Sequence, residues 1–271
     1  MLVFTNIVSL LDLSKGFDSL NIEILLYKLS CYGIPNEWFS SYLNQRHQIV
    51  NCNNNLSNEN VLSIGVPQGT VLGPILFLIY VNDLSSCVEN ALVIMYADDT
   101  TILCKGKTPL ELQVNMESAL HFVGTWLNKN RLVVNASKSN VMLVGSRQNV
   151  NAFADNVTIH LNDQILQNCT SAKLLGVVID RHLSFDCHIA YIVQKVAPKI
   201  GLIHRLRQIL PPKALNIVYL TAIQSSFDYC LTVYGNTSRK NVTILQRLQN
   251  RSARAVSGNL CSSTTIVADL K

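Results

Sequence analysis

The sequence predicts an α+β domain that is followed by an all-α, basic module. Strand-like apolar runs alternate with helical patterns up to about residue 185, and only helical patterns follow. Hydrophobic residues make up 48% of the 271 positions, so the chain can bury a core. Residues 190–259 contain ten Lys or Arg and one acid, a charge of +9, whereas the rest of the chain sums to −4. This asymmetry is typical of a polyanion-binding part joined to a part with other chemistry.

The elements of the first part follow from apolar spacing and turn residues. Gly33 and Pro35 end the first helix, and an Asn-rich stretch marks a loop or hairpin tip. The segment Gly65-Val66-Pro67-Gln68-Gly69 is predicted to be a turn. The predicted order is a strand at 7–13, helices at 21–32 and 38–45, a loop or hairpin tip at 51–60, a helix at 71–84, a hairpin at 91–104, a helix at 109–128 and strands at 141–144 and 174–179.

The hairpin at 91–104 carries the adjacent carboxylates Asp98 and Asp99. Taken alone, this pair suits a solvated turn. Both flanking runs are almost wholly apolar, however, so we expect the hairpin to lie in a core, where two carboxylates repel and need a cation. Asp12 ends another apolar strand. Three carboxylates at the ends of central strands suit Mg²⁺ and predict phosphoryl transfer with two metal ions.

Several classes of site are not supported. The eight cysteines are scattered without a CxxC pair, which gives no support to a zinc site and favours buried thiols in a reducing compartment. We expect no membrane segment and no signal peptide, hence an intracellular protein, cytoplasmic or nuclear. Asn-x-Ser/Thr triplets at Asn156 and Asn241 are then expected to be unmodified.

Five segments in order resemble successive motifs of reverse transcriptases, most closely those of non-long-terminal-repeat retrotransposons of the jockey kind. They are LDLSKGFDSLN at 11–21, GVPQGTVLGPILFLIYVNDL at 65–84, YADD at 96–99, NASKSNVMLVG at 135–145 and KLLGVVIDRHLSF at 173–185. The resemblance implies a polymerase palm at 1–185 and a helical thumb-like region at 186–271. It also implies an RNA-directed DNA polymerase that adds dNTPs to a DNA primer on an RNA template.

The resemblance implies a role for each matched residue. Asp12, Asp98 and Asp99 would hold two Mg²⁺ ions, and Lys138 matches a lysine proposed to protonate the departing pyrophosphate. Leu175-Gly176 resembles the segment that grips the primer end. The residues implied to contact the nucleotide or primer are Phe17 as a steric gate against a ribose 2′-hydroxyl, Gln68 and Gly69 in the nucleotide-lining loop, and Ala97 facing the primer end. A core Phe, an ordinary turn and an exposed loop Lys are the competing interpretations. Asp18 is expected to cap the following helix.

The basic module has its own pattern. Arg247, Arg251 and Arg254 lie at i, i+4 and i+7, one face of a helix, and the +9 charge favours binding of a phosphate backbone over a merely solvated face. Arg205 and Arg207 are predicted to bind nucleic acid together with these three arginines. Val242, Leu245 and Leu248 are expected to pack the other side.

The chain also departs from the family. Only eleven residues precede Asp12, where the family has its fingers, and neither fingers nor an endonuclease is recognised; Gly16 stands where Ala is usual. We therefore expect weak or undetectable polymerase activity from this chain alone. One alternative is a non-catalytic nucleic-acid-binding remnant. A nucleotide cyclase is disfavoured because it would not explain the Val-Pro-Gln-Gly segment or the basic helices.

Overall fold

A computed structural model describes residues 5–161 and 164–258, with the side chain of residue 155 set aside. The chain divides into two compact units between Cys169 and Thr170. The hairpin at residues 171–180 belongs to the second unit. The division into palm and thumb at residue 185 stays a prediction.

The first unit mixes strands and helices in the order that the sequence predicts, with additional short strands. Its strands are β1 (Thr5–Asp12), β2 (Arg46–Gln48), β3 (Asn51–Cys52), β4 (Asn55–Leu56), β5 (Asn60–Leu62), β6 (Leu92–Tyr96), β7 (Asp99–Gly106), β8 (Asn140–Val144), β9 (His160–Leu161), β10 (Gln164–Ile165) and β11 (Gln167–Asn168). Its helices are α1 (Ile22–Cys31), α2 (Asn36–Leu43), α3 (Leu72–Val81), α4 (Pro109–Lys129) and α5 (Arg147–Phe153), with 3₁₀ turns at Gly16–Asp18, Leu84–Cys87 and Ala154–Asn156.

A five-stranded sheet in the order β11-β8-β1-β7-β6 forms the centre of this unit. β1 is the middle strand and pairs antiparallel with both β7 and β8. Its residues alternate between buried and half-buried, because successive side chains point to opposite faces of a sheet. Ile7 and Leu11 thus join the helical core, whereas Asp12 ends on the other, more open face.

Helices α1, α3 and α4 supply the core on the covered face of the sheet. The helix predicted at 109–128 is confirmed as α4, which starts with Pro109 after Thr108, whose side chain accepts a hydrogen bond from the Glu111 amide at 3.1 Å. Residues of this core with no exposed surface include Ile7, Leu25, Phe77, Tyr80, Ile102, Leu112 and Met116.

Two expectations about this unit are wrong. Asp18 does not cap α1: the cap is Asn21, whose side-chain oxygen accepts from the Ile24 amide at 3.0 Å. The hairpin of β6 and β7 is also not buried on both strands. β6 is an edge strand that exposes Ile94 and Tyr96, since the helices cover only one face of the sheet.

The second unit begins with a hairpin and continues as helices. Its elements are β12 (Ser171–Leu174), β13 (Val177–Asp180), α6 (Asp186–Leu206), α7 (Pro212–Tyr219), α8 (Ser225–Asp228), α9 (Leu231–Tyr234) and α10 (Arg239–Ser257). A π-helical turn at Leu220–Gln224 joins α7 to α8. Pro212 starts α7 because proline is tolerated at the first helical position. The apolar sides of α6 and α10 share one core with Tyr219 and Tyr234.

Asp180 organises the junction between β13 and α6. It is 7% exposed, and its carboxylate accepts hydrogen bonds from the amides of His182, Ser184 and Phe185 at 3.0, 3.1 and 2.6 Å and from the Ser184 hydroxyl at 3.2 Å. Burial alone would raise the pKa of Asp180, but these four hydrogen bonds outweigh it and lower the pKa. The carboxylate therefore satisfies the amides that precede α6.

The Asn-x-Thr triplet at Asn241 lies at the start of α10. Asn241 is 3% exposed, and its side-chain amide donates to Asp186 at 2.7 Å and to Thr237 at 2.8 Å. In the folded chain this asparagine is structural. Among the residues that the structure describes, no helix combines the length and the apolar character needed to span a bilayer.

Candidate active site

Asp12 and Asp99 lie opposite each other at the same end of β1 and β7. Residues directly opposite in an antiparallel pair point to the same face, with Cβ atoms about 4.5–5.5 Å apart. Asp98 precedes Asp99 in the turn between β6 and β7. The fold thus brings the three predicted carboxylates to one end of the sheet.

Electrostatic repulsion accompanies this arrangement. The pKa of Asp99 is raised, first by burial and then by the negative charges of Asp98 and Asp12. A nearby cation would relieve that repulsion. Within the described residues, however, no group of three or more His, Cys, Asp or Glu side chains is arranged to hold a metal ion. The carboxylates are neighbours, and the two Mg²⁺ ions stay a prediction.

The segment that contains Lys138 is attached to the backbone of Asp12. The Asn135 amide donates to the Asp12 carbonyl at 2.8 Å, and the Asp12 amide donates to the Ser139 hydroxyl at 3.2 Å. Lys138 consequently lies beside the carboxylates, with its Nζ 3.9 Å from Oδ2 of Asp12. Its side chain is largely exposed, so this ion pair contributes little stability.

The turn at Ala97 and Asp98 is tight and strained. Tyr96 pairs with Asp99, so only these two residues connect β6 to β7. Ala97 has a φ of 53°, which lies in the left-handed region that residues other than glycine rarely adopt. Such strain occurs often at functional sites.

Phe17 follows Gly16, which lies close to Asp98. Its ring stacks on Phe77, with centroids 4.4 Å apart and planes inclined by 22°. A Cβ atom at Gly16 would lie 3.1 Å from the Phe77 ring and 3.4 Å from Cβ of Asp98. Glycine at position 16 therefore lets Phe77 and Asp98 approach the turn closely. The half-buried Phe17 fits both a core role and the predicted gate.

Gln68 and Gly69 lie in the loop before α3. The Gln68 side chain is exposed, and its Nε2 donates to Oδ1 of Asp18 at 2.7 Å. Gly69 has a φ of 73° with open space where a side chain would project. Gln68 lines a cavity of about 560 Å³ together with Asp18, Arg46, Gln48, Leu62, Ile64, Gly65 and Val66.

In the second unit, Leu175 and Gly176 form the two-residue turn between β12 and β13. Both have positive φ, 45° and 85°, as the favoured hairpin turn requires. The Tyr229 hydroxyl donates to the Leu175 carbonyl at 2.6 Å, and a Cβ atom at Gly176 would lie 3.0 Å from the Tyr229 ring. Tyr229 therefore holds this turn and leaves little room for a side chain at position 176, where the positive φ also favours glycine.

The basic residues of the second unit are exposed. Arg247, Arg251 and Arg254 share the outer face of α10, and Leu248 packs inward as expected, whereas Val242 is exposed. Arg205 is exposed at the end of α6, and Arg207 lies against Gly258 beyond α10. In the described part of the chain, none of these five arginines forms an ion pair with a carboxylate.

Three roles were not predicted from the sequence, which gave Asp18 only a capping role and gave Arg46 and Asp180 none. Asp18 bonds to Gln68, Arg46 lines the cavity, and Asp180 holds the start of α6. Asp18 and Asp180 lie within two of the recognised motifs, so their position in a motif was an available signal. Arg46 lies in a polar segment without a local pattern.

The part of the chain that contains the three carboxylates also matches known proteins. The sequence profile of the family described as reverse transcriptase (RNA-dependent DNA polymerase) matches residues 5–179. The RNA-directed DNA polymerase from mobile element jockey of Drosophila melanogaster is 28% identical over 92% of this chain and 28% of its own length. A probable RNA-directed DNA polymerase from transposon BS of the same organism is 26% identical over 91% of this chain and 28% of its own length.

Among solved structures, a telomerase from Candida tropicalis, in complex with the TWJ fragment of telomeric RNA, has a TM-score of 0.47 and 13% identity, over 100% of this chain and 46% of its own. That likeness is too distant to assign a residue. The chain spans about 28% of the length of the curated relatives named above. These two relatives agree with the non-long-terminal-repeat retrotransposon group that the motifs predict. The profile match over more than half of the chain shows that it belongs to the reverse transcriptase (RNA-dependent DNA polymerase) family.

Proposed function

We propose that this chain carries the catalytic core of an RNA-directed DNA polymerase, which extends a DNA primer with dNTPs on an RNA template. The observation that carries the proposal is the register of the sheet, which sets Asp12 opposite Asp99 beside Asp98. These residues lie within the part of the chain that matches the family. In this proposal residues 1–185 form the palm and residues 186–271 the thumb.

The donor set fits divalent metal ions, which reverse transcriptases generally use. Carboxylate oxygens are the ligands that Mg²⁺ prefers, and the pKa of Asp99 is raised by burial and, to a smaller extent, by the charges of Asp98 and Asp12, which a cation would offset. Asp12, Asp98 and Asp99 would hold the two ions. Bound there, the ions would activate the primer hydroxyl and neutralise the leaving pyrophosphate.

The chain's own residues would orient the reactants. Lys138 can donate a proton or a charge-assisted hydrogen bond near Asp12, and its position 3.9 Å from that carboxylate supports this role. Phe17, held by its stack on Phe77, would limit the space beside the sugar. Gln68 and Gly69 would border the nucleotide, and Ala97 the primer end. Leu175-Gly176 would contact the primer.

The outer face of α10 is proposed to bind the phosphates of the primer–template duplex. Its three arginines are exposed and free of carboxylate partners within the described residues. Each phosphate contact made by a cation releases counterions, so binding weakens as salt rises.

Changing Arg247, Arg251 and Arg254 together to glutamine is expected to weaken binding of an RNA–DNA duplex. The slope of log affinity against log salt should fall by about 0.9 for each arginine that contacts a phosphate. Fluorescence anisotropy at several salt concentrations measures this slope. Arg147→Gln, which removes an exposed cation from α5, serves as the control and should change the slope far less. An unchanged slope in the triple variant would remove α10 from the duplex interface.

Primer extension tests the proposed function directly. With an RNA template, a DNA primer, dNTPs and Mg²⁺, we expect slow, template-dependent extension that stops when EDTA removes the metal. Extension that continues under chelation would contradict the metal-dependent mechanism. Duplex binding without any extension at saturating dNTP would favour the non-catalytic remnant, which the exposed arginines also fit.

A further inference from the structure

The hydrogen bond between Asp18 and Gln68 has no evident structural task. Asp18 is exposed, and α1 is capped by Asn21 instead. The bond nevertheless joins side chains that are fifty positions apart, at 2.7 Å. Both side chains line the cavity of about 560 Å³ described above.

The loop that carries Gln68 is already held by backbone contacts. The Val66 amide donates to the Phe17 carbonyl at 3.0 Å, and the Gly65 amide donates to the Leu20 carbonyl at 2.7 Å. A Cβ atom at Gly65 would lie only 2.8 Å from the Asp18 carbonyl oxygen, so the two backbones are in direct contact. The Asp18 carboxylate is therefore not needed to attach the loop, and its bond acts on the Gln68 side chain alone.

The chemistry of the pair fixes the orientation of the amide. An ionised carboxylate only accepts hydrogen bonds, whereas a glutamine amide can present either a donor or an acceptor. The hydrogen bond therefore selects the amide orientation in which Nε2 of Gln68 points towards Asp18, whereas a free amide could adopt either orientation. Its Oε1 then remains free to accept a hydrogen bond. Arg46 adds a cation to the same cavity, where its guanidinium donates to the Gly65 carbonyl at 3.3 Å.

We propose that Asp18 is a positioning residue, which holds the Gln68 amide so that Oε1 accepts a hydrogen bond from a hydroxyl or amino group of the nucleotide substrate. This inference rests on the proposed function for the identity of the ligand. The contact itself depends only on the two side chains. Asp18 does not touch the nucleotide; it acts through Gln68.

The first test observes the amide without substrate. In a chain with ¹⁵N-labelled glutamine, the Gln68 side-chain signals are identified by their loss in Gln68→Ala. We expect shifted signals in the wild type that move to the positions of a free amide in Asp18→Ala. Glu23→Ala, which removes an exposed carboxylate from the first turn of α1, is the matched control and should leave them in place. Gln68 signals that are unchanged in Asp18→Ala would overturn the inference.

The second test is a double-mutant cycle on nucleotide affinity. We expect Asp18→Ala to weaken Mg²⁺–dNTP binding by about tenfold, the scale of one hydrogen bond, and to have no further effect in a Gln68→Ala background. Equal effects of Asp18→Ala in both backgrounds would show that Asp18 acts independently of Gln68 and would overturn the proposal. If the wild type binds no nucleotide while the Asp18-dependent signals persist, the proposed function and the nucleotide contact of Gln68 both fail, and only the restraint of the Gln68 amide by Asp18 stands.

Discussion

Asp98→Ala is expected to reduce Mg²⁺-dependent primer extension by roughly 10³-fold, the scale of losing a group that stabilises transition-state charge. The reason is geometric: Asp98 lies in the two-residue turn that also sets Asp99 opposite Asp12. Removing it would leave two of the three proposed ligands and alter the charge at the site. Extension on an RNA template under single-turnover conditions measures the change.

The same variant should make the metal-free chain more stable. The charge of Asp98 contributes to the raised pKa of Asp99, after the larger effect of burial, so its removal relieves repulsion. We expect a higher melting temperature without Mg²⁺ and a smaller stabilisation when Mg²⁺ is added. Loss of activity together with a gain of stability cannot be explained by misfolding.

The control is Glu89→Ala, which removes an exposed carboxylate before β6. It should change neither extension nor the response of the melting temperature to Mg²⁺. Asp98→Asn, which keeps the side-chain shape, should behave like Asp98→Ala. Full activity in Asp98→Asn would exclude a ligand role for this carboxylate.

Asp180→Ala is expected to destabilise the second unit by about 3 kcal/mol, because it leaves several partly buried donors without an acceptor. The four hydrogen bonds to Asp180 hold the residues just before α6. Asp180→Asn should cost less, since one oxygen still accepts. Asp228→Ala is the matched control, because that exposed carboxylate accepts one hydrogen bond, from Gln224.

The two units can be followed with different probes. Both tryptophans, Trp38 and Trp126, lie in the first unit, whereas the second unit is mainly helical. In urea, the far-ultraviolet circular dichroism transition of Asp180→Ala should move to lower denaturant. The tryptophan fluorescence transition should move less. An unchanged circular dichroism midpoint would contradict the role assigned to Asp180.

The effect of Asp180 should also depend on pH. Its pKa is lowered in the folded chain, so its contribution is fully present above the unfolded value of about 3.9. It is lost as the pH falls through the folded pKa. The stability difference between wild type and Asp180→Ala should thus be constant near neutral pH and shrink below about pH 4.

The fold was largely predictable because its elements have clear periodic patterns. The apolar run at β1 and the apolar spacing of α4 were recognised within a few residues of their ends. The short pairs β2–β5 and β9–β10 were not, because each strand has only two or three residues and depends on its partner. The exposure of β6 could not be inferred from the sequence, since it depends on its edge position in the sheet.

Only those residues of the candidate site that lie in recognised sequence motifs could be predicted. Asp12, Asp98 and Asp99 could be grouped because each ends an apolar strand or lies beside one. The bond from Gln68 to Asp18 could not, because it depends on how the 65–69 loop lies against residues 17–20. The roles of Lys138, Phe17, Ala97 and the arginines stay predictions.

The middle position of β1 has a consequence for biogenesis. This strand precedes its neighbours in chain order, and its hydrogen-bonding partners β7 and β8 are translated much later. During synthesis on the ribosome, both edges of β1 stay unpaired until β7 and β8 have been translated. An apolar segment in this state is prone to aggregation or to binding by chaperones. Asp12 and Asp99 come together only through the pairing of β1 with β7, which is a long-range contact and therefore forms slowly. The carboxylates of the candidate site are consequently brought together late in folding.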